Sequence, residues 1–310
     1  MSPSSALVVV EASSRMGHLP AGRLTPLGAQ PMLEVQLRRL AVLTKLTGAT
    51  LVVTVSDAPT DDPTAQLAAD LGWTVVRGAY DDQLGWLAIA LARTGASRVA
   101  VVRDDAPLSD PYLVLAALGA VEAGADHAGN IASRTHPRGL EVEALSARAV
   151  RAMELELSDP AERARPTGLL LRNPERFALA NLDSGHDLAS EDWSARSART
   201  FERAGAVLAS VRHPLEATWA EMLSVAGRTH RPRPGEVQLR PQPSAAPGSA
   251  PWVRRWTATV DGIEVGEAVL TVAAGRSERW VDVPEAHLES VREALYRLLL
   301  GDLQVAPPAP

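Results

Sequence analysis

Residues 6–33 read ALVVVEASSRMGHLPAGRLTPLGAQPML, and this stretch decides the fold class. The run over 7–10 is continuously apolar, as expected of a strand that is buried on both faces of a sheet. The loop over 11–31 is rich in glycine, proline and arginine, and apolar residues at helical spacing begin at Met32. A strand, a glycine-rich loop and a helix in this order are typical of the first unit of an open α/β sheet.

The same alternation continues along the first 105 residues. Further strands are predicted at 51–55, 73–76 and 98–102, and helices at 32–46, 63–71 and 83–93. Less regular helices are predicted at 112–123, 147–157 and 197–209. The pattern predicts a doubly wound, mostly parallel α/β sheet that holds ligands at the carboxyl ends of its strands.

The composition changes after residue 227, and this predicts a main domain over 1–227. Residues 228–251 contain six prolines among arginines and small residues, which indicates a linker. Beyond them, Asp261-Gly262 separates two apolar runs, which is a strong hairpin signal, and a helix is predicted over 284–300. We therefore expect a small C-terminal α+β appendage, a hairpin-helix domain over 252–303, followed by a tail over 304–310.

The composition excludes several classes of function. The chain has 310 residues, a net charge of -6 and no cysteine, so disulfides, thiolate metal sites and a cysteine nucleophile are excluded. An acidic balance argues against general nucleic-acid binding, and no run approaches the length of a membrane span. The run over 6–10 stops at Glu11 without a preceding basic residue, so it does not resemble a signal peptide, and we expect a cytoplasmic protein. Of the 31 basic residues only Lys45 is a lysine.

Three stretches carry residues that could perform chemistry. The loop over 11–24 combines glycines with arginines, which suits phosphate groups, although a plain surface loop has the same composition. Asp104 and Asp105 end the predicted fourth strand, where they could anchor Mg²⁺ or simply form a turn. The stretch over 136–143 mixes an arginine with two acids, and its alternative is an ordinary strand with a polar face.

In this order, these stretches resemble the cytidylyltransferase-like family of spore-coat polysaccharide biosynthesis, which includes the CMP-sugar synthetases. The resemblance covers about 6–209 and does not extend to the C-terminal appendage. It implies a fold of the nucleotide-diphospho-sugar transferase type. The matching segments are Leu19-Pro20, Pro26-Leu27-Gly28, Pro31-Met32-Leu33, Arg77-Gly78, Asp105-Ala106-Pro107-Leu108, Pro137-Arg138-Gly139-Leu140-Glu141-Val142-Glu143 and Asn173-Pro174-Glu175.

The resemblance also implies an activity and the residues that would perform it. The family's reaction is attack of an acidic sugar's hydroxyl on the α-phosphate of CTP, with release of pyrophosphate and with Mg²⁺ as the cofactor. The stretch over 138–143 further implies a homodimer contact. By position, the implied residues are Arg15, Arg23 and Asp105 as catalytic groups, with Asp105 as the metal ligand; Ala12, Gly17 and Asp82 at the nucleotide; and Arg138, Glu141 and Glu143 at the sugar acid.

Several charged positions of the family pattern are substituted in this chain. The lysine of the phosphate loop aligns with Gly22, an arginine aligns with Trp86, and the second metal aspartate aligns with Arg196, four residues after Asp192. Two hypotheses remain open at this point. The chain is either a divergent nucleotidyltransferase, acting on CTP or another nucleotide, or a non-catalytic relative that binds a ligand or a partner.

Overall fold

The main sheet has seven strands in the order β5-β4-β1-β6-β8-β7-β9. The computed structural model describes residues 6–12, 19, 21–79, 82–103, 105–185, 188–189, 191–225, 237–242, 252–273, 276–288 and 290–291. The strand β8 runs antiparallel to both of its neighbours, and the other pairs in this sheet are parallel. The strands of this part of the chain, with the two-residue ribbon β2–β3, are β1 Ala6–Glu11, β2 Pro26–Leu27, β3 Gln30–Pro31, β4 Thr50–Ser56, β5 Thr74–Gly78, β6 Arg98–Val102, β7 His127–Gly129, β8 Val142–Ser146 and β9 Leu179–Asn181.

Helices cover both faces of the sheet. On one face, Val8 and Val10 of the central strand pack with Leu33, Leu37 and other buried residues. On the opposite face, residues that include Leu7 and Val9 pack against another set of helices. The helices are α1 Met32–Leu40, α2 Val42–Thr47, α3 Asp62–Asp70, α4 Gln83–Thr94, α5 Pro111–Glu122, α6 Ala147–Glu156, α7 Pro160–Arg163, α8 Thr167–Leu171, α9 Ala198–Ser210 and α10 Trp219–Val225.

The fold class predicted from the sequence is confirmed: a mostly parallel, doubly wound sheet is followed by a small C-terminal sheet. The strands and helices predicted over the first 105 residues are present, but the predicted helix over 32–46 is divided into α1 and α2 at Ala41. The antiparallel strand β8 was not predicted as such, because its residues Val142–Ser146 lie at the end of a stretch whose polar and apolar residues fit several structures. None of the helices in the described residues is long and apolar enough to cross a bilayer.

The C-terminal sheet has four antiparallel strands, β10 Val237–Pro241, β11 Trp252–Val260, β12 Ile263–Ala273 and β13 Arg276–Asp282. The predicted hairpin turn is present, with positive φ angles of 50° at Asp261 and 81° at Gly262. The strand β10 lies inside the stretch predicted as a linker. Among the described strands it pairs with β11 alone, and an edge strand of this kind tolerates a proline such as Pro241. Of the predicted helix over 284–300, residues 285–288 and 290–291 are helical, and 289 and 292–300 lie outside the described residues.

The C-terminal sheet packs on the main unit through a small apolar cluster of its own. Trp256, Ala258 and Ala268 of the sheet and Val291 are buried together with Leu46 of α2 and Tyr112 of α5. These contacts join the sheet to the helix that begins directly after the strand β6 and its loop. The sheet therefore completes its apolar core with two residues of the main unit.

Candidate functional site

The candidate site lies where the parallel strands end, on the loop that follows β6. The side-chain amide of Gln36 on α1 donates hydrogen bonds to the carbonyl oxygens of Arg103, at 2.8 Å, and Ala106, at 2.9 Å. Arg39, one turn along the same helix, donates to the carbonyl oxygen of Ser109 at 3.1 Å. The helix α1 thus fixes both ends of the loop that carries Asp105.

A second segment, residues 191–196, delivers an arginine to the same place. The amide of Trp193 donates to the carbonyl oxygen of Arg138 at 2.9 Å, and the amide of Ala195 donates to that of Asp105 at 2.8 Å. The close approach depends on Gly139, whose φ is +88°: a Cβ atom there would lie 2.6 Å from the carbonyl carbon of Trp193. The glycine predicted from the family pattern therefore lets this segment place Arg196 beside Asp105.

Asp105 is held by two guanidinium groups, one at each carboxylate oxygen. Its Oδ2 lies 2.6 Å from Nε of Arg196, and its Oδ1 lies 3.1 Å from Nε of Arg103. Burial raises the pKa of this carboxyl, but Arg103 and Arg196 outweigh that effect, and the pKa of Asp105 lies below its ordinary value. Asp105 is therefore ionised at neutral pH and already engaged with two cations.

Glu141 extends the ion pairs into a network. Its Oε1 lies 2.5 Å from Nη1 of Arg134 and 3.7 Å from Nη2 of Arg196, and its Oε2 accepts a hydrogen bond from the amide of Gly139 at 2.6 Å. We call these five residues the arginine–carboxylate network: Arg103, Asp105, Arg134, Glu141 and Arg196. It contains three guanidiniums and two carboxylates, and therefore carries one net positive charge.

The arrangement does not fit the Mg²⁺ ion that the family resemblance implies. Mg²⁺ requires oxygen ligands at about 2.0–2.1 Å, whereas both oxygens of Asp105 accept N–H donors, and the second aspartate of the pattern is replaced by Arg196. The carboxylate of Asp192 accepts hydrogen bonds from the amide and hydroxyl of Ser194, at 2.9 and 2.6 Å. Asp104 lies outside the described residues, and no three acidic or histidine side chains within them form a metal-binding group.

Of the other residues implied near the phosphates and the nucleotide, those that the structure describes are not gathered at the network. Arg15 and Gly17 lie outside the described residues. The Arg23 side chain is buried, so a phosphate would reach it only after its surroundings move. Ala12 is also buried, and its amide already donates to the carbonyl oxygen of Thr54 at 2.8 Å. Asp82 caps the helix α4 by accepting from the amide of Gly85 at 2.9 Å.

The residues implied at the sugar acid divide into two groups. Glu141 belongs to the arginine–carboxylate network, and Arg138 lies half-buried on the segment that pairs with residues 191–193. Glu143 instead pairs with the buried His127, whose Nε2 lies 3.0 Å from its Oε1. The sequence therefore pointed to both carboxylates of the network, but in other roles: Glu141 as a residue that contacts the sugar acid, and Asp105 as a metal ligand.

Four residues that build the site were not singled out from the sequence as functional: Gln36, Arg39, Arg103 and Arg134. A usable signal existed for the first two. Gln36 and Arg39 lie among Leu33, Leu37 and Leu40 on a short helix, and a polar side chain in the buried part of a helix needs hydrogen-bond partners. Arg103 and Arg134 pair with Asp105 and Glu141, only two and seven residues along the chain, but the local sequence did not show that these two pairs meet at one site.

Next to the site, His136 is buried and gives the fold a pH dependence. Its ring meets that of Trp219 edge-on, with 5.1 Å between the centroids. Burial lowers the pKa of His136 from 6.5 to about 4; Asp183 acts against this shift and Arg134 adds to it. In the native protein the ring is therefore neutral at physiological pH.

The expected result is that acid destabilises the protein through His136. Because the unfolded chain binds the proton more tightly than the native chain between pH 6.5 and about 4, stability is complete above pH 6.5 and falls across this window, by at most about 3 kcal/mol. Urea denaturation at a series of pH values measures this loss. The variant His136→Phe keeps an aromatic ring against Trp219 and should lose less stability in the same window, and an equal loss in both proteins would contradict the assignment.

Solved structures of nucleotidyltransferases share this fold. A cytidylyltransferase from Leptospira borgpetersenii serovar Hardjo-bovis superimposes with a TM-score of 0.66 at 17% identity, over 73% of this chain and 98% of that one. CMP:2-keto-3-deoxy-manno-octonic acid synthetase, solved with CTP, gives a TM-score of 0.50 at 15% identity, over 66% of this chain and 99% of that one. No protein-family model and no curated protein matches the sequence. The chain has the cytidylyltransferase fold, and an arginine–carboxylate network lies at the carboxyl ends of its strands.

Proposed function

We propose that this protein binds the phosphates of a nucleotide at the carboxyl edge of its sheet and does not catalyse magnesium-dependent nucleotidyl transfer. The observation that carries the proposal is the contact of 2.6 Å between Nε of Arg196 and Oδ2 of Asp105. Negative charge builds up on phosphate oxygens during nucleotidyl transfer, and a metal held by carboxylates stabilises it strongly. A guanidinium bound to the anchoring carboxylate opposes the binding of such a metal.

The nucleotide part of the proposal is supported by the position of the network. Open α/β sheets bind ligands in the crevice outside the carboxyl ends of their strands, and Asp105 lies three residues after the end of β6. The structural neighbour solved with CTP makes CTP the first ligand to test. We therefore take CTP as the reference nucleotide, with other nucleoside triphosphates as alternatives.

Nucleotidyl transfer is the second candidate function. It is favoured by the low pKa of Asp105, since an ionised carboxylate near the strand ends is what a metal site needs. In that case Mg²⁺ would displace the arginines, and the acceptor would be a sugar acid or a related hydroxyl compound destined for a polysaccharide. This candidate requires the Arg103 and Arg196 contacts with Asp105 to break when the metal binds.

The two candidates differ in pyrophosphate release. The protein is incubated with Mg²⁺ or Mn²⁺, each of the four nucleoside triphosphates and a panel of acidic sugars, with an authentic CMP-sugar synthetase as the positive control for the assay. We expect no pyrophosphate above the level without protein, together with CTP binding that calorimetry detects. Turnover with any pair of substrates would contradict the proposal. The proposal would also be contradicted if none of the four nucleotides bound.

A further inference from the structure

We infer that Arg103 and Arg196 bind phosphate oxygens directly, so that the site binds a nucleoside triphosphate or pyrophosphate that carries no metal ion. The inference deepens the proposed function and rests on it for the nucleotide, but the phosphate chemistry follows from the network itself. A metal-dependent site uses carboxylates to hold a cation that holds the phosphates. Here the cation is part of the protein.

The first support is the distribution of charge across the arginine–carboxylate network. Its acids lie at the bottom: the Asp105 side chain is 8% exposed and that of Glu141 is 1% exposed. Two of its three arginines are exposed, Arg103 at 43% and Arg196 at 39%, whereas Arg134 is 17% exposed. A ligand that approaches the network therefore meets guanidinium groups, and the surface offered to it attracts anions.

The second support is the way in which the guanidiniums are held. Arg103 and Arg196 each use Nε–H to bind a different oxygen of one carboxylate. A guanidinium has five N–H donors in a fixed plane, so anchoring it through Nε sets the direction of its terminal donors. Nη2 of Arg196 lies 3.7 Å from Glu141, which is beyond hydrogen-bond distance and leaves this group able to bind an anion.

The third support is that the backbone that carries Asp105 cannot easily move away. The backbone on each side of Asp105 is fixed by Gln36 and by the amide of Ala195, at 2.8 Å from the carbonyl oxygen of Asp105. Side chains that are fixed before binding lose little conformational entropy when the ligand arrives. The site is therefore prepared for the planar, paired hydrogen bonds that arginine makes with phosphate.

Magnesium should then weaken binding instead of strengthening it. Mg²⁺ coordinates the same phosphate oxygens that the arginines would bind, and its charge repels the two guanidiniums. In wild-type protein we expect CTP and pyrophosphate to bind at least about tenfold more tightly in EDTA than in excess Mg²⁺, measured by calorimetry at constant ionic strength. Equal affinity in both conditions, or tighter binding with Mg²⁺, would overturn the inference without the need for any variant.

Two variants locate the effect. Arg103→Gln and Arg196→Gln should each weaken binding of metal-free pyrophosphate by about tenfold, because each removes a charge-assisted contact. The matched control is Arg176→Gln, since Arg176 also pairs with a carboxylate, that of Glu156 at 2.6 Å, and its side chain is 47% exposed. Urea denaturation verifies that each variant is folded. Unchanged pyrophosphate affinity in both site variants would contradict the inference.

The outcomes separate the inference from the proposed function. Pyrophosphate binding that depends on Arg196, without binding of any nucleotide, supports the inference and rejects the proposed function. Nucleotide binding that ignores both arginines and Mg²⁺ supports the proposed function and rejects the inference. Magnesium-dependent turnover rejects both.

Discussion

Replacing Arg39 with methionine is expected to lower the free energy of unfolding by about 3–5 kcal/mol. Arg39 is fully buried, and its guanidinium donates to carbonyl oxygens of two separate segments, at Ser109 and Leu108 and at Pro214 and Ala217. Burial lowers the pKa of Arg39 to about 10, although Asp110, Glu221 and Tyr112 act against this shift, so the side chain stays charged. Methionine fills a similar volume but leaves these carbonyl oxygens without their donors and removes the cation that acts on the buried Asp110.

The adjacent residue provides the control. Arg38 lies on the same helix, but its side chain is 45% exposed, and it pairs only with Glu34 at 2.7 Å. Arg38→Met should therefore cost at most about 0.5 kcal/mol. Urea denaturation of both variants compares the two arginines directly. If the midpoints of Arg39→Met and Arg38→Met coincide, the hydrogen bonds of Arg39 do not stabilise the fold in the way the structure indicates.

Gly139→Ala should have an effect of comparable size. The new Cβ would lie 2.6–2.7 Å from backbone atoms of Trp193 and Ser194, and the φ of +88° is one that alanine adopts only with strain. Strain of about 1–3 kcal/mol and a similar cost for displacing the neighbouring segment give a loss of about 2–6 kcal/mol in the free energy of unfolding. Because that segment carries Arg196, the variant should also bind metal-free pyrophosphate more weakly.

Gly72→Ala is the control that separates the cost of backbone strain from the cost of steric overlap in Gly139→Ala. Gly72 has a similar φ of +81°, but no atom lies within 4 Å of its would-be Cβ. Its substitution should cost about 1–2 kcal/mol and leave pyrophosphate binding unchanged. Equal losses of stability for the two alanine variants would show that residues 191–194 yield to the new side chain, and the geometric account of the site would then be wrong.

The fold was predictable because its signal is local. The apolar runs at β1, β4 and β6 each occupy consecutive residues, and the helices between them show regular apolar spacing. The C-terminal hairpin was equally clear, since Asp261-Gly262 favours one type of turn. The strand β10 was missed because prolines dominate its surroundings, and β8 was missed because antiparallel pairing with β6 depends on a partner 40 or more residues away.

The site was predictable only in part. The family pattern led to Asp105, Glu141 and Gly139, and the alignment with a metal aspartate raised the question of Arg196. No sequence pattern could show that Arg196 reaches Asp105, because the contact depends on the backbone ladder between residues 191–195 and the segments at 105 and 138. The roles of Gln36 and Arg39 are also tertiary, since their acceptors are backbone atoms of distant loops.

The packing of the C-terminal sheet has a consequence for cooperativity. Trp256 and Ala258 are buried against Leu46 and Tyr112, so the sheet shares part of its folding free energy with the main unit. Tyr112 is the second residue of α5, and the side chain of Asp110 caps that helix through the amide of Tyr112 at 2.7 Å. Unfolding of the sheet would therefore uncover an apolar surface at the start of α5, the helix that directly follows the loop carrying Asp105. The two parts of the chain are coupled through their stability, so the last quarter of the sequence helps to keep the start of α5 ordered.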